Sequence, residues 1–227
     1  MKSEGVVINS FDYKETSKII HLYTIDGKMS VEAVGANNPK KGLLGFTEIG
    51  NTVSFITTDG KIKKVVEYEV LNSLYDISLD LLRVKCFMVI LDIIKNIPED
   101  TNHNLLYPYI KQTFKDIRDK NPKKLLSIFL IKMLYVFGIK PNLTSCIHCG
   151  SLDIKYLDLL NGGAVCNNCK SISNLESLIL FKEYYKEKKD IDLYQDTDYD
   201  KLLKDLKEYY SRYASINLKI NDIINKN

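Results

Sequence analysis

Hydrophobic positions in the first 75 residues fall in short runs with near-alternating polar partners. The runs are GVVINSF (5–11), KIIHLYTI (18–25), KMSVEAV (28–34), NTVSFIT (51–57) and KIKKVVEYEVL (61–71). They are rich in β-branched and aromatic residues, which suit a pleated, half-buried surface, and they predict five strands. Asp26-Gly27 separates the second and third runs, and Asp59-Gly60 the fourth and fifth. Asp-Gly accepts the positive φ of a tight turn, so two hairpins are expected. The stretch GANNPKKGLLG (35–45), with three glycines and a proline, reads as an irregular loop.

Near Asp76 the period changes from two to that of a helix. ISLDLLRVKCFMVILDIIKNI is apolar at helical spacing and stops at Pro98. HNLLYPYIKQTFKDIRD is a second helix, with Pro108 read as lying near its start. NPKKLLSIFLIKMLYVFG is a third, with Asn121 as N-cap, Pro122 at the first helical position and Gly138 as its stop. NLESLILFKEYYKEKK and DYDKLLKDLKEYYSRYASI predict two further amphipathic helices, and the final NDIINKN is expected to fray. The fold class is therefore α+β. Residues 1–75 form a five-stranded, partly open barrel of the OB-fold kind. Residues 76–227 form a helical domain with a small insertion at 142–175.

That insertion holds four of the five cysteines, Cys146, Cys149, Cys166 and Cys169, as two Cys-x-x-Cys pairs separated by sixteen residues. Each pair lets two thiolates from one turn reach one ion, and two such turns complete a tetrahedron. The spacing is that of a zinc ribbon, so one structural zinc is expected. Four metal-free thiols, or a redox pair, are the alternatives. A filled four-cysteine site leaves no open position for water and does no chemistry. Gly150, Gly162 and Gly163 supply tight backbone, and His148 lies between two ligands. Cys86, alone in an apolar helix, reads as a small buried hydrophobe.

Charge refines the picture. Residues 1–75 carry nine lysines and nine acidic residues, while residues 76–145 carry eleven basic and seven acidic ones. Lys40 and Lys41 lie in the irregular loop, and Lys61, Lys63 and Lys64 follow the second Asp-Gly; together they offer a path for phosphates. Phe11, Tyr13, Tyr23, Phe46 and Phe55 are candidate base-stacking aromatics. Core packing for the aromatics and simple solubility for the lysines are the competing readings. Lys111, Lys115 and Arg118 share one helical face, with Lys123 and Lys124 following; this stretch suits an acidic partner, DNA or plain solvent.

Other classes find little support. No run of about eighteen uncharged apolar residues predicts a membrane span, and the N-terminus lacks the apolar core of a signal peptide. A cytoplasmic location follows as an expectation, in which paired cysteines are metal ligands rather than disulfides. There is no phosphate-binding glycine motif, and His21 and His103 have no nucleophile or carboxylate near them in sequence, so neither an enzyme nor a small-molecule substrate is expected.

The ordered set of segments resembles the bacterial RecO family of recombination-repair mediators. It comprises the strand at 5–8, Tyr-x-Glu at 13–15, Leu-Tyr-Thr through Gly at 22–27 and the Gly-Ala loop at 35–41. FLIKMLYVFGIKPNLTSCIHCG and GGAVCNNCK complete the pattern. The resemblance implies an OB-fold followed by helices with a zinc module, and a non-enzymatic job. That job is to bind single- and double-stranded DNA, anneal complementary strands and help load recombinase on coated strands. It also implies as partners a RecR-like protein and the acidic tail of single-stranded-DNA-binding protein, and places the chain at the nucleoid. The family loop is often rich in arginine; here Lys40 and Lys41 stand in, and residues 1–75 contain no arginine. Lysine keeps phosphate attraction but loses the bidentate fork. A zinc-ribbon accessory factor of transcription or translation, and a thiol oxidoreductase, are the rival functions.

Overall fold

A computed structural model describes residues 2–171, Phe181 and 199–224. By contacts the chain divides into two compact units. One comprises Met1–Val84 and Leu91–Lys120, the other Lys85–Ile90 and Asn121–Asn227.

In the first unit, β1 (Lys2–Tyr13), β2 (Ser17–Thr24), β3 (Gly27–Ala33), β4 (Thr52–Thr57) and β5 (Val65–Asn72) form one sheet. Its order is β3-β2-β1-β4-β5, with every pair antiparallel. The sheet curls until β3 reaches the approach to β5. There Glu32 and Lys64 form a parallel bridge, and the Glu32 N–H donates to the Lys63 carbonyl at 2.8 Å. This closure makes the expected partly open barrel. Strand alternation sends Val7, Ile20, Leu22, Val31, Ala33, Val53 and Phe55 into one interior. Phe46 joins them from a single helical turn, α1 (Leu44–Thr47), inside the stretch expected to be irregular. Asn51, 1% exposed, ties the turn down: its amide donates to the Gly45 carbonyl at 2.8 Å and to Glu48, and its side-chain oxygen accepts from the Leu74 N–H.

The first hairpin is tight, closing at Thr24 and Gly27, with the positive φ carried by Gly27 alone (100°). The second is not. The last β4–β5 pair is Thr57 with Val65, so Asp59-Gly60 and Lys61–Lys64 lie in a loop rather than in a turn and a strand. The cause is the barrel closure. The Lys63 and Lys64 backbone serves Glu32 and, across the loop neck, Thr58, whose N–H donates to the Lys64 carbonyl.

Helix α2 (Leu81–Lys95) begins at Asp80, whose carboxylate accepts from the Leu82 and Arg83 N–H groups. Lys28 of β3 donates to the Lys95 and Ile97 carbonyls just past its end. Helix α3 (His103–Asp116) is capped by Asn102. Pro108 is its sixth residue, inside the helix rather than near its start. The helix tolerates it because Leu106, Tyr107, Ile110 and Phe114 are buried around it.

The second unit is built on α4 (Pro122–Val136), with the Asn121 cap and Pro122 start in place. Its end is a Schellman motif: Gly138 (φ 69°) donates to Tyr135 and Ile139 to Leu134. Helix α5 (Tyr199–Ala214) packs on α4, and Tyr210 donates to the Leu130 carbonyl at 2.7 Å. The NDII segment does not fray; it forms α6 (Asn221–Ile224). Buried Ile223, a 3.3 Å Lys85–Asp222 ion pair and a Lys207–Asn221 hydrogen bond hold it. The helix expected over 174–189 lies, apart from Phe181, outside the described residues. Among the described residues, no helix is long and apolar enough to cross a membrane.

Candidate nucleic-acid interface and metal centre

Between α4 and α5 in sequence, β6 (Ile154–Asp158) and β7 (Gly163–Cys166) form a two-stranded ribbon. One cysteine pair precedes β6 and the other follows from β7. The four Sγ atoms of Cys146, Cys149, Cys166 and Cys169 all lie within 4.8 Å of one another, and Cys149 and Cys166 are 3.6 Å apart. A tetrahedral ion with metal–sulfur bonds of about 2.3 Å needs sulfurs roughly 3.8 Å apart, so the cluster fits such a metal. Burial opposes ionisation of Cys146, but the Cys166, His148 and Cys149 backbone groups outweigh it and lower its thiol to about 6. Donors aimed at sulfur also suit a thiolate bound to a metal. Cys169, hydrogen-bonded to its neighbouring thiols, is pushed up to about 12.

The glycines carry this geometry. Gly150 (φ 75°) and Gly162 (φ 94°) adopt left-handed backbone. At Gly163 a Cβ would collide with the Asn142 carbonyl, the acceptor of the Ala164 N–H that anchors the ribbon. The apolar support is small: Cys146, Val165 and Cys166, flanked by Ile147, Ile154 and Tyr156. His148 lies 4.0 Å from Asp158 and is not part of the cysteine cluster. Cys86, in α2, is fully buried.

The predicted barrel lysines come together at one end of the barrel. Lys40 and Lys41 sit on a helical turn (Pro39–Lys41), and Lys61, Lys63 and Lys64 sit on the β4–β5 loop; all five are exposed. The β3 strand end links the two loops, because Glu32 bonds to Lys63 while the chain continues into residues 34–43. The β1–β2 turn joins them: the Asn37 N–H donates to the Thr16 carbonyl at 3.0 Å, and Lys14 Nζ lies 3.6 Å from the buried Glu32 carboxylate. Lys14 is therefore a sixth cation at this end. Sequence reading missed it because its turn has no Gly or Pro to mark it, although Lys14 itself takes φ 55°.

The aromatics divide. Tyr23, Phe46 and Phe55 are at most 1% exposed and belong to the packed interior, so they are not stacking surfaces. Tyr23 instead donates to His103 Nδ1 at 2.7 Å, while His103 Nε2 faces the Glu99 carbonyl. Phe11 is 43% exposed and Tyr13 is half-buried.

The basic face expected on α3 and α4 is largely engaged within the chain. Lys111 Nζ lies 2.6 Å from the Glu4 carboxylate, which also accepts from Tyr107. Arg118 bonds to Asp76 and Asn72. Lys123 pairs with Asp200 at 2.5 Å, and Lys124 is 9% exposed. Lys115 and Lys120 are exposed.

Comparison with known proteins places both parts of the chain. Residues 1–74 match the family model "Recombination protein O N terminal", and residues 78–184 match "Recombination protein O C terminal". The chain belongs to the Recombination protein O (RecO) family. A protein named "DNA repair protein RecO" from Halalkalibacterium halodurans is 30% identical over 173 residues, covering 74% of this chain and 68% of the relative. One so named from Acetivibrio thermocellus is 30% identical over 176 residues, covering 74% and 70%. One from Listeria monocytogenes serotype 4a is 27% identical over 236 residues, covering 96% and 91%. The resemblance read from the ordered segments is thus borne out, together with the strand-rich first part and the later helices with their cysteine cluster.

Proposed function

We propose that this DNA-repair family protein is a non-enzymatic mediator. It binds single- and double-stranded DNA through the lysine end of the barrel, anneals complementary strands and helps load recombinase on coated single strands. One observation carries this reading: Lys14, Lys40, Lys41, Lys61, Lys63 and Lys64, six of the nine lysines of a barrel with no net charge, are brought from three separate loops to one end of it. Two strands held there lose part of their mutual phosphate repulsion, and complementary bases meet with no covalent bond made or broken. Family membership over both parts supports this over a transcription or translation accessory factor. The convergence of all four ribbon thiols supports a structural zinc over a redox pair. The ion would hold a core-poor ribbon together and supply no catalysis.

The proposal keeps a cytoplasmic, nucleoid-associated location. It also keeps a RecR-like protein and the acidic tail of single-stranded-DNA-binding protein as partners. An acidic segment docking on the α3 face would compete with Glu4 for Lys111 and with Asp76 for Arg118; Lys115 and Lys120 are the exposed cations it would meet first.

The test replaces Lys40, Lys41, Lys63 and Lys64 with Ala. Each lost phosphate contact should lower the slope of log affinity against log salt by about 1 and weaken all sequences alike. A folded variant with unchanged affinity and slope would refute this placement.

A further inference from the structure

We propose that Phe11 and Tyr13 form a stacking platform for the unpaired bases of single-stranded DNA whose phosphates lie on the neighbouring lysine end. This rests on the function proposed above and gives the barrel a means of telling single strands from duplex. Strand β1 outruns its neighbour: its pairing with β4 covers Lys2–Val6, whereas its pairing with β2 continues to Tyr13. Residues 9–13 therefore run past β4 as an edge strand, paired with β2, which pairs in turn with β3 along residues 18–21. Asn9, Phe11 and Tyr13 share one face of this edge strand, by the period of two.

On that face Phe11 is held by an edge-to-face contact with His21, at 5.2 Å between ring centres and 83° between planes, yet stays 43% exposed. Burial and the nearby Lys95 keep the His21 pKa below its usual value, so its imidazole is neutral at pH 7 and adds no charge of its own. Tyr13 carries Lys14 Nζ 4.6 Å from its ring centre. The next residues join the lysine end through the Thr16–Asn37 bond. Asp12 points to the opposite face, where Lys18 lies 3.5 Å from it, so its charge does not oppose phosphates approaching the aromatic side.

An exposed phenylalanine alone means little. An exposed phenylalanine and a tyrosine on one face, contiguous with six lysines, match the two needs of a single strand: flat apolar surfaces for its bases and cations for its phosphates. Duplex bases are stacked on each other and offer no free face, so the aromatic pair should act on single strands alone.

The test compares the full chain with Phe11→Ala and Phe11→Trp on a mixed-base single strand, the same strand with abasic sites, and a duplex, across a salt series. Phe11→Ala should bind the mixed-base strand about tenfold more weakly, with unchanged salt slope and unchanged affinity for the abasic strand and the duplex. Phe11→Trp should bind like the parent. Since the chain contains no other tryptophan, quenching of that indole on binding reports stacking directly. The platform is overturned if Phe11→Ala binds the mixed-base strand as tightly as the parent. It is equally overturned if the loss extends to the abasic strand and duplex, or if the indole is not quenched. If the parent itself binds none of the three DNAs, the function proposed above fails and the platform fails with it.

Discussion

Lys111 shows how much a single residue's role depends on contacts that sequence does not display. Its spacing with Lys115 and Arg118 marks a helical face, but its charge is met by Glu4 at 2.6 Å, 107 positions earlier in the chain. Glu4 is half-buried, which by itself would raise its pKa; the bonds from Lys111 and Tyr107 outweigh this and hold its carboxyl below the usual carboxylate range. A depressed folded pKa stabilises above the unfolded value of about 4.3, and that contribution is lost as pH falls through the folded value. Glu4→Gln should therefore lower the urea midpoint of the full chain near pH 7, with the gap to the parent closing progressively below about pH 4. A gap that does not change with pH would mean the pair adds no charge-dependent stability. The aromatics teach the same lesson. Alternation showed that Tyr23, Phe46 and Phe55 sit in or beside strands, but not which side the barrel and α3 would cover.

At the scale of elements, local signals read well wherever the cause is local. The Asn121 cap, the Pro122 start and the Gly138 stop all sit where helix chemistry needs them, and Gly27 alone supplies the positive φ of the first hairpin. They fail where a distant strand intervenes. Asp59-Gly60 carries a tight-turn signature, yet Glu32 claims the Lys63 backbone and stretches the connection into a loop. The ribbon is the clearest test of local reading, because spacing specifies four ligands and Gly163 specifies their anchor. Gly163→Ala should release zinc to a competing chelator at roughly tenfold lower concentration, within the range of losses when support around ligands is disturbed. Cys86→Ser, outside the cluster, should keep one equivalent of zinc. Metal content that does not respond to Gly163→Ala would disconnect the glycine from the site.

For the whole molecule, net charge is a weak guide: +3 spread over 227 residues demands no polyanion. The arrangement matters more. Topology gathers lysines from three loops to one end of the barrel, while several arginines and lysines elsewhere are engaged within the fold. Arg83 binds the Ile117 and Lys120 carbonyls beyond α3, and Lys28 binds the carbonyls beyond α2. In the function proposed above, membership of the RecO family is what turns that basic end into a candidate DNA site; neither charge nor family alone points to these residues. The most direct measurement is fluorescence-quench annealing of complementary oligonucleotides by the full chain, at known zinc content, across a salt series. Annealing that fades steeply with salt, and is weaker with Lys40, Lys41, Lys63 and Lys64 replaced by Ala, is the predicted result. Folded, zinc-loaded protein that leaves the strands unpaired at low salt would contradict the account.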